Sequence, residues 1–286
     1  MADTKNILVT GANGQLGMEF RLLEKSFPQY QFFFVGKEDL NICNPAEVSA
    51  LFDNNEIAVC INCAAYTLVD KAEAEKDLAY AVNATAVATV AKECTRAGAL
   101  LFHISTDYVF AGNGIVPYKE TDPTHPINIY AASKLAGEEF VREYCKEAII
   151  IRTSWVYSQY GNNFVKTMRR LMSEKKELGI VADQLGCPTY AADLAAAVMH
   201  IISIPLPPPG TYHYCNQGVI SWYDFALAIK QITHSACKLH PIVTSAYPTP
   251  ALRPHYSALD TSAFRQTFGI EIPKWKESLE ICLAAL

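Results

Sequence analysis

The chain has 286 residues, half of them apolar and 19% charged, with a formal net charge of −5. That length holds one large α/β domain or a nucleotide domain with a smaller companion, and the negative balance disfavours nucleic acid as the main partner, because phosphate binding wants clustered Lys and Arg. No apolar run reaches the roughly eighteen residues of a membrane span, and Met1 leads toward a strand without a charged and then apolar leader, so a cytoplasmic protein with no membrane contact is expected.

In chain order, the first expected strand, Asn6 to Thr10, runs into Gly11-Ala12-Asn13-Gly14-Gln15-Leu16-Gly17, which opens an amphipathic helix over Leu16 to Phe27. Strand, G-x-x-G-x-x-G turn and helix in this order form a dinucleotide-binding signature. The glycines allow a tight turn, close backbone approach to a pyrophosphate and close helix packing, and the helix N-terminus supplies N–H donors. The second strand, Phe32 to Val35, ends on Gly36-Lys37, where NAD-preferring folds usually place a carboxylate for the ribose 2′-hydroxyl. Lacking that acid and having a lysine nearby, the site is expected to take NADPH, with NADH also accepted.

A third apolar strand, Ile57 to Ala64, contains Cys60 and Cys63 in C-x-x-C spacing. With no helix N-terminus and no second ligand pair, these read as small core residues, and the odd total of nine cysteines does not suit a complete disulfide framework. A helical stretch follows over Ala79 to Ala97, and then a strand over Leu100 to Ser105 that brings the Thr106 hydroxyl to the ligand edge of the sheet. Tyr130 and Lys134 lie at i and i+4 on one face of the next helix, which continues to Tyr144. A phenol beside an ammonium is suited to giving a proton to a carbonyl oxygen as hydride arrives, since the positive charge favours the phenolate.

After the strand Ile149 to Thr153 the alternation loosens. Helices are expected near Phe164 to Lys175, Asp193 to Ile202 and Trp222 to Thr233, with a surface connector at Pro205 to Gly210. The basic cluster Lys166, Arg169, Arg170, Lys175 and Lys176 is diluted by Glu174 and Glu177 and reads as a solvated helix face. Continuous apolar strands alternating with helices give a Rossmann-like, doubly wound parallel α/β sheet. The expected organisation is a dinucleotide-binding domain over 1–155 and a mainly substrate-binding part over 156–286, with a soft boundary because later segments could return to the sheet.

The motifs VTGANGQLG (9–17), NCAAYTLVDKAE (62–73), STDYVFAG (105–112), YAASK (130–134), RTSWVY (152–157), GNNFV (161–165), DQLGCPT (183–189) and RPHYSALD (253–260) resemble the extended short-chain dehydrogenase/reductases, and more closely the dTDP-4-dehydrorhamnose reductase family. The resemblance implies reduction of the 4-keto group of dTDP-4-dehydrorhamnose with NADPH. It assigns catalysis to Tyr130, Lys134 and Thr106. Cofactor contact falls to Gly11, Gly14, Gln15, Leu16, Gly17, Asn41, Ile42, Ala64, Ala65, Tyr66 and Thr67, besides Tyr130 and Lys134. Asp107 and Trp155 would touch the sugar nucleotide, and Asn163 and Arg253 are added as a polar group and a cation suited to its diphosphate. Asn41 departs from the family's aspartate, although an amide can still bond adenine. Some relatives pair as homodimers through carboxylates and a divalent metal. Glu19 could hold one such position, but no full ligand set is found and no metal is expected.

Two relatives define rival expectations. Sugar-nucleotide 4,6-dehydratases carry Thr-Asp-Glu where this chain has Thr106-Asp107-Tyr108, so the acid for eliminating water is missing. The regulatory subunit of methionine adenosyltransferase shares the fold without catalysing reduction, and other sugar-nucleotide reductases and epimerases share the machinery.

Overall fold

The structure, a computed structural model, describes residues 5–286. The first half runs β1 (Lys5–Thr10), α1 (Gln15–Leu23), β2 (Tyr30–Val35), α2 (Pro45–Asn55), β3 (Ile57–Asn62), α3 (Val69–Ala72), α4 (Lys76–Tyr80), α5 (Ala86–Ala97), β4 (Leu100–Thr106), α6 (Ile129–Tyr144) and β5 (Ile149–Thr153). The second half runs β6 (Val156–Tyr157), α7 (Phe164–Glu174), β7 (Glu177–Val181), β8 (Leu185–Gly186), β9 (Thr189–Tyr190), α8 (Ala191–Ser203), β10 (Gly210–His213), β11 (Ile220–Ser221), α9 (Trp222–Ile232), β12 (Lys238–Ile242), α10 (Ser262–Phe268) and α11 (Trp275–Ala284).

Six strands form one sheet in the order β10-β5-β4-β3-β1-β2, every pair parallel. Both faces are covered, as the continuous apolar strands require. One face packs Ile7, Val9 and Ile151 against Leu16 and Phe20 of α1 and the apolar stripe of α8. The other packs Leu8, Cys60 and Ile150 against Val48 and Phe52 of α2, Val87 and Val90 of α5 and Val141 of α6. Cys60 is therefore core, while Cys63 lies just past the end of β3, half-buried. A third core joins α7, α9 and α11 around Tyr157, Met168, Phe225 and Leu279.

The doubly wound sheet is as expected, and a later segment does return to it. β10 pairs with β5, and Tyr212 and Tyr214 pack with Phe264 and Phe268 into the core that α1 shares. The first helix stops at Leu23 and closes with a 3-10 turn over Glu24–Ser26, because Pro28 restricts Phe27 and offers no N–H to continue. Strand order reverses between β1 and β3, so the crevice at their carboxyl ends is where such sheets hold a ligand. No helix among the described residues is long and apolar enough to cross a membrane.

Candidate active site

Each glycine of the turn after β1 has a geometric role. Gly11 sits at φ +62°, and a Cβ there would fall 2.7 Å from backbone atoms of Cys63 and Ala64, so the turns after β1 and β3 lie directly against each other. A Cβ on Gly17 would fall 2.5 Å from Ala12 Cα, which is why α1 can press onto the turn. Gly14 caps α1 with no side chain, and a Cβ there would meet only the Gly11 carbonyl, at 3.2 Å. The first N–H groups of α1 are left free beside an open glycine face, which fits a pyrophosphate. The Leu16 side chain is buried in the core, so only its backbone N–H faces the turn's ligand side. Gln15 joins the turn to the second half of the chain: its Nε2 donates to Val156 O (3.3 Å) and its Oε1 accepts from Asn163 Nδ2 (2.9 Å).

At the end of β2, Lys37 is 90% exposed and pairs only loosely with Glu38 (3.6 Å), leaving it able to meet a 2′-phosphate. A carboxylate does stand nearby, although not at the strand end: Asp39 Oδ2 accepts from Gly36 N–H at 2.8 Å. Sequence reasoning passed over it, and its signal was an acid within four residues of the strand. Asn41 is exposed, its Oδ1 accepting from Cys43 N (3.1 Å), and Ile42 packs onto the α2 core.

The segment Ala64 to Thr67 after β3 is held from below. Asn83 accepts from Tyr66 N–H (2.8 Å) and donates to Tyr66 O (3.0 Å) and to Ser133 Oγ (3.0 Å) on α6. Asn83 is fully buried and lies in a π turn, Ala81–Thr85, that interrupts the expected helix Ala79 to Ala97 and aims its amide sideways. Gly137 of α6 lies directly on the Asn83 carbonyl, leaving no room for a Cβ. Gly137→Ala should therefore push α6 off this support and lower both thermal stability and turnover, by about 1–3 kcal/mol and about tenfold. A melting temperature and a kcat equal to the parent's would show that the contact is not needed.

Helix α6 starts at Ile129, capped by Asn128, whose Oδ1 accepts from Ala131 N–H (2.8 Å). Tyr130 and Lys134 thus share its first turns. The Thr106 hydroxyl at the end of β4 donates to Asp107 Oδ1 (3.0 Å) and accepts from Tyr108 N–H (3.2 Å). The Tyr108 ring stands edge-on to that of Tyr130 at 6.2 Å. Burial pushes the Tyr130 phenol up to about 12, the nearby Thr106 hydroxyl opposing and the Asp107 charge adding to the rise.

The expected lowering by Lys134 is not what this arrangement gives. The lysine turns its Nζ to the Ile104 carbonyl (2.7 Å), and burial draws the ammonium itself down to about 8 against the charges of Glu138 and Cys63. Burial likewise lifts the Asp107 carboxyl to about 7 against the nearby Ser257 and Thr106 hydroxyls, and its Oδ2 is buried with no hydrogen-bond partner among the described residues. The phenol is held protonated at neutrality, a state suited to donation, while the neighbouring acid titrates there.

Tyr108 also lines a cleft of about 690 Å3, together with Asp70 and Arg253 and with Phe164, Leu178, Ile180 and Trp222. Trp155 stands behind this wall, stacked face to face on Trp222 at 3.5 Å. Its φ of +46° is a strained value for a bulky residue, and Gly186, where a Cβ would strike the indole at 2.7 Å, makes room for it. Sequence reasoning singled out Trp155 and missed Trp222, which had signalled only a helix start.

Asn163 is committed elsewhere. Its Oδ1 caps α7 through Lys166 N–H (3.1 Å) and its Nδ2 donates to Gln15, Ser158 and Tyr160, so it positions the cofactor turn and has no free donor for a diphosphate. Arg253 lines the cleft but holds Asp70 through two bonds, 2.9 and 2.8 Å. Among the described residues, no group of three or more His, Cys, Asp or Glu side chains is placed to hold a metal ion.

The family model described as RmlD substrate binding domain matches residues 5–286. A dTDP-4-dehydrorhamnose reductase of Escherichia coli K12 is 41% identical over 98% of each chain. The chain belongs to the dTDP-4-dehydrorhamnose reductase family. Among other members, the spore coat polysaccharide biosynthesis protein SpsK of Bacillus subtilis is 43% identical over 96% of this chain and 95% of its own. The crystal structure of the Bacillus anthracis dTDP-4-dehydrorhamnose reductase in complex with NADP superposes with a TM-score of 0.95 at 41% identity, covering 99% of this chain and all of that one. A Thermus thermophilus UDP-glucose 4-epimerase, at 18% identity and a TM-score of 0.81, shares the fold alone.

Proposed function

We propose that the chain reduces the 4-keto group of dTDP-4-dehydrorhamnose to give dTDP-L-rhamnose, using NADPH. One observation carries the reading: the Thr106 hydroxyl stands at the carboxyl end of β4, on the same edge of the parallel sheet as the glycine turn after β1, and the adjoining Tyr108 sets its ring edge-on to that of Tyr130 and lines the cleft. When bound, the nicotinamide supplies hydride to C4. Tyr130 gives its proton to the C4 oxygen, a far stronger base than phenolate once hydride has arrived, so a phenol near 12 is acid enough. Thr106 turns its hydroxyl from Asp107 to the substrate oxygen and holds it toward Tyr130. Lys134 releases the Ile104 carbonyl to hold the nicotinamide ribose. The cofactor site draws on Gly11, Gly14, Gly17 and Ala64 to Thr67, and Lys37 supports use of NADPH over NADH. Residues 156–286 mainly shape the sugar-nucleotide side of the cleft, and the location we infer is the cytoplasm.

Incubating the protein with each reduced nicotinamide and the 4-keto sugar nucleotide, and following cofactor consumption and the deoxysugar product, tests this. Consumption of NADPH at least as fast as NADH is expected. A protein that binds NADPH, leaves the ketone untouched and binds a methionine adenosyltransferase would be the regulatory type instead. Tyr108 in place of the dehydratase glutamate disfavours elimination.

The aromatic wall gives a separate test. Trp222→Ala removes cleft surface and the ring on which Trp155 stacks, and Trp155→Ala removes the backing. Each should raise KM for the sugar nucleotide by about tenfold, with NADPH affinity unchanged, since loss of one well-packed aromatic contact costs about 1–2 kcal/mol. Unchanged KM in both variants would move the sugar nucleotide out of this cleft, and unfolding of Trp155→Ala would make that ring core.

A further inference from the structure

Asp70 and Arg253 are 183 residues apart and meet in a two-pronged pair in the lining of the cleft that Tyr108 shares. Asp70 lies on α3, just after the segment Ala64 to Thr67 on the cofactor side. Arg253 lies in the strand-less crossing of residues 249–256, on the substrate side. The same carboxylate also accepts from Ala251 N–H (3.2 Å), and Arg253 Nη1 donates to Ala251 O (2.8 Å), so one acid organises the turn that presents the guanidinium. The adjoining Leu252 carbonyl accepts from Asn128 Nδ2 (2.9 Å), which fixes the crossing to the start of α6.

Exposure differs within the pair. The Asp70 side chain is 41% exposed and that of Arg253 only 18%. The acid can leave into water at little cost, whereas the guanidinium stays in the cleft and needs a new anion. The charged residues of the cleft lining are Asp70 and Glu177 against Lys175 and Arg253, so the lining is neutral overall. A diphosphate entering with the pair intact would meet a guanidinium already neutralised and a carboxylate of its own sign. The fork that grips two carboxylate oxygens is equally suited to two phosphate oxygens.

We infer that Asp70 is an internal stand-in for the substrate's diphosphate, holding Arg253 in the cleft until the diphosphate displaces it, and thereby weakening the grip on the sugar nucleotide. The inference rests on the reading of Arg253 as a diphosphate-binding residue. Asp70 acts through Arg253 and is a positioning residue. It gives the cleft a preformed cation without a bound anion, and it limits retention of the product, which carries the same diphosphate.

Asp70→Asn keeps the shape and one acceptor for Arg253 and removes the competing charge. Calorimetric titration of dTDP into the NADPH-bound parent and variant should show binding about three- to tenfold tighter in the variant, an expected scale for removing one nearby like charge at a partly exposed site. Thymidine, which has no phosphate, should bind both equally, and KM for the sugar nucleotide should fall by the same factor as the dTDP dissociation constant. A purely structural pair would give the opposite sign, because loosening the 249–256 crossing weakens every ligand. Equal or weaker dTDP binding in Asp70→Asn overturns the inference. Asp70→Ser, with a short neutral side chain, carries the same test if the amide variant does not fold. Arg253→Gln separates the underlying reading: if it leaves dTDP affinity unchanged, Arg253 does not hold the diphosphate at all, whereas a tenfold or larger loss there with no gain in Asp70→Asn rejects only the role of Asp70.

Discussion

Tyr130→Phe should fold, bind NADPH like the parent and turn over about a hundredfold more slowly or worse, the usual scale of a lost general acid. The ring keeps its volume, so the edge-on contact with Tyr108 and the position of α6 survive, and only the hydroxyl is lost. Thr106→Val, close in shape but without the hydroxyl, should lower kcat less severely, because the phenol can still reach the substrate. Lys134→Met should harm NADPH affinity and rate together, since the same Nζ that now donates to Ile104 O is the group available to the ribose. Single-turnover rates on folded, NADPH-bound protein decide the matter. A Tyr130→Phe rate near the parent's would mean that another group donates the proton, with the Asp107 carboxyl, raised to about 7, the first to examine.

The second large effect is on stability. Glu138, with 0% side-chain exposure, accepts from Arg152 Nε (2.9 Å) and Nη2 (2.7 Å), from Ser105 Oγ (2.6 Å) and from Arg142 Nη2 (2.5 Å), and Arg152 is itself only 2% exposed. Burial would raise the carboxyl, yet the Arg152 hydrogen bonds and charge, with Ser105 and Arg142, hold it below the usual carboxylate value of 4.5. Arg152→Met strands a buried carboxylate on the half-exposed Arg142 alone. It should cost about 3–5 kcal/mol, a fall of roughly ten degrees in melting temperature for a chain of this size.

The pH dependence has a definite sign. A carboxyl whose folded value is lowered stabilises fully above its unfolded value and loses that contribution as pH falls through the folded one. The gap between parent and variant should therefore narrow below about pH 4.5. His213 acts in the same direction: burial first, then the Arg152 charge, hold it at about 4, so the parent loses stability as pH falls from the ordinary histidine value toward that point. A melting-temperature gap that is small at pH 7, or that widens in acid, would show that the pair is not what secures this region.

Local pattern made part of this legible. The glycine turn announces itself because turn, cradle and helix start are consecutive, and Tyr130 and Lys134 because one helix sets their spacing. What escaped depends on residues far apart in the chain. Asn83 gains its meaning from a π turn and from Ser133, fifty residues on. Asp70 gains its meaning from Arg253, and Trp222 from the wall it shares with Phe164. Asn163 was legible as polar and misplaced in role, because an amide that caps its own helix looks, in sequence, the same as one facing a ligand. The direction in which Lys134 points was equally hidden, since spacing sets the face of a helix and not the partner of a flexible four-carbon arm.

The return of β10 to the sheet has a consequence during synthesis. A nascent chain that has emerged only through β5 presents a bare strand edge, and the face that α8 and α10 later cover is still open. At about 5–20 residues per second, several seconds separate β5 from β10, and more pass before Phe264 and Phe268 arrive. The glycine cradle leaves the ribosome well before the layer on which it rests is complete. Ribosome-bound chains halted after β5 should be held by chaperones and cut readily by proteases, and those halted beyond α10 should resist both.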